Sequence, residues 1–391
     1  MGCMIKTKIE SFIAKRRCTL LGIGPMSKNC VDASIEIAND YEIPLILVAS
    51  RRQIEAAEFG GGYVNNWSTE SFAEYVIERD KKGKIILARD HGGPWQSQWE
   101  KDQKLSLKKA MESAKTSYQA DIKSGFEIIH IDPSVDIYSN PSVDETLLRI
   151  FELYEFCWKV ASDRHRQIIF EIGTEEQSGS TDSLETLEYV VQETIKFCQK
   201  HKILPPTFLV AQIGTRVMET RNVGSFDSPF RIVGELPAEI QVPKIIDFCN
   251  RYGIMLKAHN DDYLSDEALS WHPKLGIHAA NVAPEFGVTE TKAFLDLLWQ
   301  YNLTDLADSF IKLAYESKKW MKWMLPDTQA SLTEKAIIAG HYVFATPTFQ
   351  EIQATASSKL KDKEIDLDEY LKSKVKASIF RYVKHFRLSG I

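Results

Sequence analysis

The sequence contains no long hydrophobic run and no clustered cysteines. None of its apolar stretches approaches the roughly 20 residues that an α-helix needs to cross a bilayer, so no membrane partner is expected. The six cysteines are scattered and form no CxxC pair, which indicates reduced thiols that fill the core. The N-terminus lacks the continuous apolar region of a signal peptide, and a cytoplasmic location is therefore expected.

The charge balance is also unlike that of a nucleic-acid-binding protein. The net charge is -6, and the basic clusters are short and are interpreted as solvated surfaces. A nucleic-acid footprint needs a broad basic surface, so no nucleic-acid partner is expected, although an acidic protein can hold phosphate in a local pocket. With 391 residues, 44% of them hydrophobic, the chain has the composition of a globular protein with a large core.

Eight short β-rich runs recur along the first three quarters of the chain. Each is nearly continuous in apolar residues up to a polar end, which is typical of parallel strands covered on both faces. Segments with helical periodicity separate them. The runs are CTLLGIGP (18–25), IPLILVAS (43–50), KIILARDH (84–91), FEIIHIDPS (126–134), QIIFEIGTE (167–175), TFLVAQIGT (207–215), GIMLKAHN (253–260) and GIHAANVAP (276–284).

This alternation leaves two architectures open. A doubly wound open sheet often carries a GxGxxG turn after its first strand, and that turn is absent here. Polar residues end nearly every strand, which favours an α/β fold of the (βα)8 TIM-barrel type. Residues 1–303 are predicted to form the barrel. Residues 304–391 are predicted to form a helical C-terminal extension that packs on the barrel or on a partner subunit.

In such a barrel, the residues that follow the strands converge on one site. Neutral imidazole and carboxylate ligands favour zinc, with manganese or cobalt as alternatives. Asp90 and Asp132 are predicted to transfer protons on the substrate; the alternative is that either one caps a helix or orients a metal ligand. The predicted ligands of one divalent ion end strands three, five, six and seven, and they are His91, Glu175, Gln212 and His259.

Substrate-binding candidates come from glycine-rich or basic turns and from polar residues at the last two strand ends. Backbone amides in such turns can hold a phosphate group. For the triple-glycine run after Phe59, an ordinary flexible loop is the alternative. The predicted substrate-binding residues are Ser50, Gly61, Gly93, Gly214, Arg216, Asn260, Asp262, Asn281 and Glu285.

Several of these strand-end motifs occur in the order seen in a known family. They are FGGGY, ARDHGGPW, GFEIIHIDPS, IGTE, LVAQIG and AHNDDY, within about residues 18–330. The sequence resembles the non-catalytic subunit family of class II tagatose-bisphosphate aldolase, which are TIM barrels related to the metal-dependent class II aldolases. By this resemblance, Asp90 is the acid/base aspartate before the first metal histidine, His91, and His259 matches the late histidine. Gln212 stands where classical aldolases have another metal histidine.

The resemblance implies a metal-dependent enzyme that acts on a sugar or sugar phosphate, as a homo-oligomer or with an aldolase partner subunit. A ketose C4 epimerase is expected, which breaks the C3–C4 bond by a retro-aldol step, rotates the aldehyde and re-forms the bond. The alternatives are a tagatose-1,6-bisphosphate aldolase, its accessory subunit, or a ketose 3-epimerase that works by enolisation. Strand eight carries Asn281 and Glu285 where the family commonly has a lysine and a GPALTF-like run, so a shifted substrate is expected.

Overall fold

The computed structural model describes residues 4–173, 184–227 and 237–389. Its barrel strands are β1 (Leu20–Ile23), β2 (Leu45–Ser50), β3 (Ile85–Gly92), β4 (Ile128–Ile131), β5 (Ile169–Gly173), β6 (Phe208–Ala211), β9 (Met255–Ala258) and β10 (Ala279–Val282). These eight strands are parallel and close in the order β1-β10-β9-β6-β5-β4-β3-β2. A separate hairpin is formed by β7 (Val217–Met218) and β8 (Arg221–Asn222). The predicted TIM barrel and its eight strands are confirmed.

The helices that accompany these strands are α1 (Met4–Arg16), α2 (Lys28–Tyr41), α3 (Thr69–Arg79), α4 (Gln98–Asp102), α5 (Leu107–Ser124), α6 (Val143–Asp163), α7 (Leu184–His201), α8 (Ala238–Arg251), α9 (Asp266–Leu275) and α10 (Pro284–Gln300). Serine side chains start several of them, because Ser27, Ser68 and Ser142 each accept a hydrogen bond from a backbone N–H of the first turn. Gly125 ends α5 with a φ of 99°, a left-handed conformation that glycine adopts without strain. Among the described helices, none combines the length and apolar character of a membrane span.

The barrel strands are almost entirely buried, as their continuous apolar runs require. One ion pair lies within this apolar interior: Lys257 of β9 donates to both carboxylate oxygens of Glu171 of β5, at 2.7 and 3.0 Å. The two side chains are at most 1% exposed. A buried pair of this kind is tolerated because each charge satisfies the other. The five cysteines within the described residues are buried free thiols, as expected for core filler.

The C-terminal part is helical, as predicted. It contains α11 (Thr304–Glu316), α12 (Leu332–Ala339), α13 (Pro347–Lys361) and α14 (Leu367–His385), with 3-10 turns at Met321–Trp323 and Gly340–Tyr342. A second hydrophobic cluster joins α10 to α11, α12 and α13. The start of α14 joins the same cluster through Leu367 and Leu371. The helix also packs against α2 and α10, and its Val375, Ile379 and Tyr382 belong to the barrel core. The carbonyl of Phe386 also accepts a hydrogen bond from the backbone N–H of Thr19, just before β1.

Candidate functional site

An irregular backbone at the end of β3 turns two consecutive side chains into one cavity. In a regular strand, the neighbours Asp90 and His91 would face opposite sides of the sheet. His91 instead has a φ of 44°, and the pairing of β3 with β4 shifts register between Arg89 and Gly92. Such bulges redirect side chains and are frequent beside active sites. Both Asp90 and His91 consequently line the same cavity.

Asp90, His91 and His259 form a compact group at the strand ends. One ligand atom of each residue lies within 4.8 Å of the others. The Nε2 atoms of His91 and His259 are each 3.8 Å from Oδ2 of Asp90, and the two rings pack edge to face with centroids 4.7 Å apart. Three of the predicted chemical residues, donated by β3 and by the turn after β9, therefore converge as the barrel requires.

Asp132 lies behind His91. Its Oδ2 is 2.7 Å from Nδ1 of His91 and also accepts a hydrogen bond from Nε2 of Gln96 at 3.0 Å. Its Oδ1 accepts bonds from the hydroxyl and the backbone N–H of Ser134. A carboxylate bound to one nitrogen of an imidazole fixes the tautomer and directs the other nitrogen outward. This arrangement leaves Nε2 of His91 facing Asp90 and His259.

His130 is a member of this cluster that the sequence analysis did not select. It is fully buried, its Nδ1 lies 3.7 Å from Oδ1 of Asp90, and it accepts a hydrogen bond from the backbone N–H of His91 at 3.4 Å. Its Nε2 has no hydrogen-bond partner among the described residues. The available signal was its position two residues before Asp132, since alternate residues of a strand share a face.

The electrostatics of the cluster are dominated by these close contacts. Burial by itself would raise the pKa of Asp90, but the imidazoles of His91, His130 and His259 hold it well below its usual range. Burial would lower the pKa of His91, yet Asp90 and Asp132 raise it above the ordinary value. The cluster therefore stabilises the carboxylate of Asp90 together with positive charge on His91, which a bound cation can replace.

The donor set fits a divalent metal ion. Imidazole nitrogen and carboxylate oxygen are the ligands that zinc and related ions prefer. Oδ1 of Asp90 is buried and accepts no hydrogen bond from the described residues, and a buried carboxylate oxygen of this kind calls for a cation or a donor. Of the four predicted ligands, His91 and His259 lie in the group, Gln212 is fully buried after β6, and Glu175 lies outside the described residues.

The cavity around this group has a volume of about 380 Å³. Five predicted substrate-binding residues line it, namely Ser50, Arg216, Asn260, Asp262 and Asn281. The side-chain amide of Asn281 is buried without a hydrogen-bond partner among the described residues. Asp262 accepts bonds from the backbone N–H groups of Ala283 and Glu285, at 3.0 and 2.8 Å. Burial raises the pKa of Asp262 to about 7.

The other four predicted substrate-binding residues support the walls of the cavity and do not line it. Gly61 and Gly214 take left-handed φ values of 79° and 89°. A Cβ on Gly93 would lie 2.2 Å from the carbonyl oxygen of Asp132, so glycine permits the turn after β3 to approach β4. Glu285 accepts hydrogen bonds from the backbone N–H of Tyr263 and from the hydroxyl of Tyr382, which joins the start of α10 to α14.

The C-terminal extension completes the cavity wall. Lys322, Trp323 and Tyr342 line the cavity, together with Arg52 and Tyr63 from the segment after β2. The extension is held there because the carbonyl of Trp323 accepts a 2.7 Å bond from the backbone N–H of Glu219. The hydroxyl of Thr328 adds a 2.6 Å bond to the Glu219 carboxylate. No motif in residues 304–391 indicated this contribution.

Comparisons with known proteins agree with this geometry. Residues 7–203 match the family described as D-tagatose-1,6-bisphosphate aldolase subunit GatZ/KbaZ-like. No curated protein matches the chain. A crystal structure of a probable tagatose 6 phosphate kinase from Sinorhizobium meliloti 1021 is similar with a TM-score of 0.72 and 16% identity, over 94% of this chain and 100% of that one.

A second similar structure is the fructuronate-tagaturonate epimerase UxaE from Cohnella laeviribosi, solved with one glycerol. Its TM-score is 0.57 and its identity 10%, over 94% of this chain and 81% of that one. At such identities, both similarities establish a shared fold. The family match establishes more than the fold, because it spans about half of the chain, from α1 to α7, and includes Asp90, His91 and Asp132. The chain therefore belongs to the GatZ/KbaZ-like family of D-tagatose-1,6-bisphosphate aldolase subunits.

Proposed function

We propose that this protein is a metal-dependent sugar-phosphate enzyme, specifically a ketose C4 epimerase that works by retro-aldol cleavage and re-addition. The observation that carries the proposal is the buried group of Asp90, His91 and His259 that lines a cavity of about 380 Å³. A cavity of this volume lies at the small end of the usual range for small-molecule sites. The family supports a sugar phosphate as the substrate class, with a tagatose- or fructose 6-phosphate-like ketose as the specific proposal.

In this proposal, His91 and His259 would hold a divalent ion, with zinc as the first candidate. Glu175 and Gln212 remain predicted ligands that complete the coordination. When bound, such an ion supplies polarisation of the substrate carbonyl and stabilises the negative charge that develops on it. The hydrogen bond between Nδ1 of His91 and Asp132 supports a positioning role for Asp132, which was one of the two alternatives for this residue.

Asp90 is proposed as the base. It removes the proton from the C4 hydroxyl; the O4 electron pair forms the aldehyde, the C3–C4 bond breaks, and its electrons remain on the C1–C3 fragment as an enediolate. After the aldehyde rotates, re-addition to its other face inverts C4 and Asp90 returns the proton. Metal-ligating imidazoles are neutral, so the divalent ion would take over the positive charge that keeps Asp90 ionised, and the ionised carboxylate is the form that can accept the proton.

Asn281 and Asp262 are proposed to hold substrate hydroxyls. Asn281 offers both a donor and an acceptor that are buried and unused among the described residues, and a sugar diol can satisfy both. Asp262 uses its Oδ1 for two backbone N–H groups and also lines the cavity. Asp262 follows β9 and Asn281 lies in β10, the neighbouring strand, so the two residues can hold the ketose in one orientation within the cavity.

The second candidate is an aldolase, which the family description favours. The same bond cleavage followed by release of the two fragments gives aldolase activity, on tagatose 1,6-bisphosphate or a related ketose. An accessory subunit without turnover and a ketose 3-epimerase remain alternatives. These readings differ in their products, so one set of assays separates them.

The test uses the purified full chain, with its metal content measured by plasma mass spectrometry. The protein is then incubated with tagatose 6-phosphate, fructose 6-phosphate and tagatose 1,6-bisphosphate, and products are followed by NMR. We expect interconversion of the two 6-phosphates. In D2O, the retro-aldol route retains hydrogen at the inverted C4, whereas enolisation by a 3-epimerase introduces deuterium at the inverted C3.

Variants connect the activity to the site. His91→Ala and His259→Ala should lose both bound metal and turnover, because each removes a predicted ligand. His165→Asn is the matched control, since this histidine is exposed after α6, away from the cavity. Cleavage products without epimer would favour the aldolase. Protein that binds no metal and converts no substrate would contradict the enzyme proposal and favour an accessory role.

A further inference from the structure

Three basic side chains that form no ion pair with an acidic side chain in the described part of the chain line the cavity. Arg52 follows β2, Arg216 follows β6, and Lys322 belongs to the 3-10 turn of the C-terminal extension. Within residues 4–173, 184–227 and 237–389, none of the three forms an ion pair with an acidic side chain. This is unusual in a chain with a net charge of -6, and we refer to the three as the cationic cluster.

Neighbouring arginines behave differently. Arg51, directly before Arg52, is buried and pairs with Glu55 and Glu100 at 2.7 Å each. Arg89 pairs with Asp121 in the same way. Arginines that stabilise the fold thus have carboxylate partners. The cationic cluster has none among the described residues, so it can pair with a bound anion. A guanidinium or ammonium facing a cavity without a counter-ion is typical of an anion site.

The cluster is joined structurally to the proposed metal site. Nε of Arg52 donates to the carbonyl of Gln96 at 3.3 Å, and Nε2 of Gln96 donates to Asp132 at 3.0 Å. Asp132 in turn holds His91. One cation is therefore linked to the histidine through two intervening residues, and both Arg52 and His91 line the same cavity.

Aromatic rings fix the position of Lys322. Its ammonium lies 4.3 Å from the ring centre of Trp323 and 5.6 Å from that of Tyr342, and both rings line the cavity. Tyr342 packs on Tyr63, with ring centres 4.8 Å apart. Contacts between a cation and aromatic faces orient the ammonium without an ion pair, so the protonated side chain remains available to an anion.

Positive neighbours strain the cluster. Desolvation lowers the pKa of Lys322 to about 7, and the charges of Arg52, Lys319 and Lys101 act in the same direction. Like charges held together raise the free energy of the free protein, and a bound anion removes this penalty.

We propose that Arg52, Arg216 and Lys322 bind the anionic end of the substrate, a phosphate or a carboxylate, and retain the aldehyde fragment after the C3–C4 bond breaks. The inference rests on the proposed retro-aldol function. In a ketose 6-phosphate or a C6 uronate, the anion is on C6 and therefore stays with the C4–C6 aldehyde. An anchored aldehyde can rotate about C4–C5 and be attacked again, whereas an unanchored one leaves and makes the enzyme an aldolase.

The first experiment measures binding and needs no turnover. The full chain is titrated by calorimetry with inorganic phosphate, and then with tagatose 6-phosphate, tagaturonate and neutral tagatose. Lys322→Gln and Arg52→Gln should each weaken phosphate binding about 10- to 100-fold, the loss of one charged hydrogen bond. Lys322→Arg should retain binding, and Lys159→Gln on α6 is the control, because it removes the same charge from an exposed residue that does not line the cavity.

Either preferred anion supports the subsite and identifies the substrate: tighter tagatose 6-phosphate indicates phosphate, and tighter tagaturonate indicates carboxylate. Neutral tagatose binding as tightly as both, or phosphate affinity unchanged in Lys322→Gln and Arg52→Gln, overturns it. A second experiment measures the ratio of released aldehyde to epimer, which Lys322→Gln should raise. The wild type could show no turnover while the substitutions still weaken its phosphate binding. That result would overturn the epimerase proposal and its retention step, while the anion subsite would stand.

Discussion

Replacing Asp132 by asparagine tests whether this residue positions His91. Oδ2 of Asp132 faces two nitrogens, Nδ1 of His91 and Nε2 of Gln96, and Oδ1 faces the hydroxyl and backbone N–H of Ser134. An asparagine must point its NH2 group toward one of these sets. In either orientation a donor meets a donor, so the change cannot be accommodated without losing hydrogen bonds.

The size of the effect follows from those contacts. The lost bond to His91 is assisted by charge, and such bonds contribute about 1.5–3 kcal/mol. Removing the carboxylate that orients a metal-bound histidine typically weakens metal affinity about 10- to 100-fold, which corresponds to ~1.4–2.7 kcal/mol. The two ranges overlap, so Asp132→Asn should lower metal affinity by one to two orders of magnitude and reduce turnover with it.

The assay is a competition between the protein and a chromophoric chelator for Zn²⁺, with Mn²⁺ and Co²⁺ measured in parallel. Asp163→Asn serves as the control, because this carboxylate is exposed at the end of α6, the helix that follows the same strand. A thermal melt checks that the variant is folded. If Asp132→Asn binds the metal as tightly as the wild type but loses turnover, the positioning role is wrong and direct proton transfer by Asp132 is favoured.

Three further predictions concern stability. Burial raises the pKa of Glu290 to about 7 from 4.5, so its contribution is complete below about pH 4.5 and is lost as the pH rises through 7. Between pH 4.5 and 8, the free energy of unfolding in urea should fall by up to ~3 kcal/mol more in the wild type than in Glu290→Gln. Asp296→Asn, on the same helix, is the exposed control. Lys257→Met strands the charge of Glu171 and should cost about 3–5 kcal/mol in urea unfolding, whereas replacing both by apolar residues should recover most of it; equal losses would contradict this. Gly62→Ala puts a Cβ 2.0 Å from the backbone carbonyl oxygen of Gln53, after β2. It should lower the free energy of unfolding by about 1–3 kcal/mol, and an unchanged melting temperature would refute this.

The barrel could be predicted because its signal is repeated and local. Each strand is an apolar run with a polar end, and the topology that eight such units adopt brings those ends together. His91, His259, Asp262 and Asn281 were predicted from their strand ends, because these ends lie at one face of the barrel, and all four line the cavity. Their roles stay predictions. The confirmed family match adds that the order of the motifs was a reliable guide.

What the sequence did not predict depends on backbone detail and distant contacts. Strict alternation would send Asp90 and His91 to opposite faces, and only the left-handed φ of His91 brings them together. Lys322 and Tyr342 reach the cavity through a docked extension, whose helical periodicity says nothing about which turn meets the barrel. The glycines chosen as phosphate contacts carry backbone constraints, and a glycine pattern alone does not separate these two uses.

The bond between Thr19 and Phe386 and the packing of α14 on α2 have a consequence for biosynthesis. Ribosomes deliver the chain from its N-terminus, so β1 and α2 emerge more than 300 residues before the helix that covers them. Until then, the seam between the first and last strands exposes apolar surface that invites aggregation. The segment that carries Lys322 also emerges late. The nascent barrel therefore lacks both the helix that covers its first strand and the residues that complete its cavity wall until the last part of the chain has been synthesised.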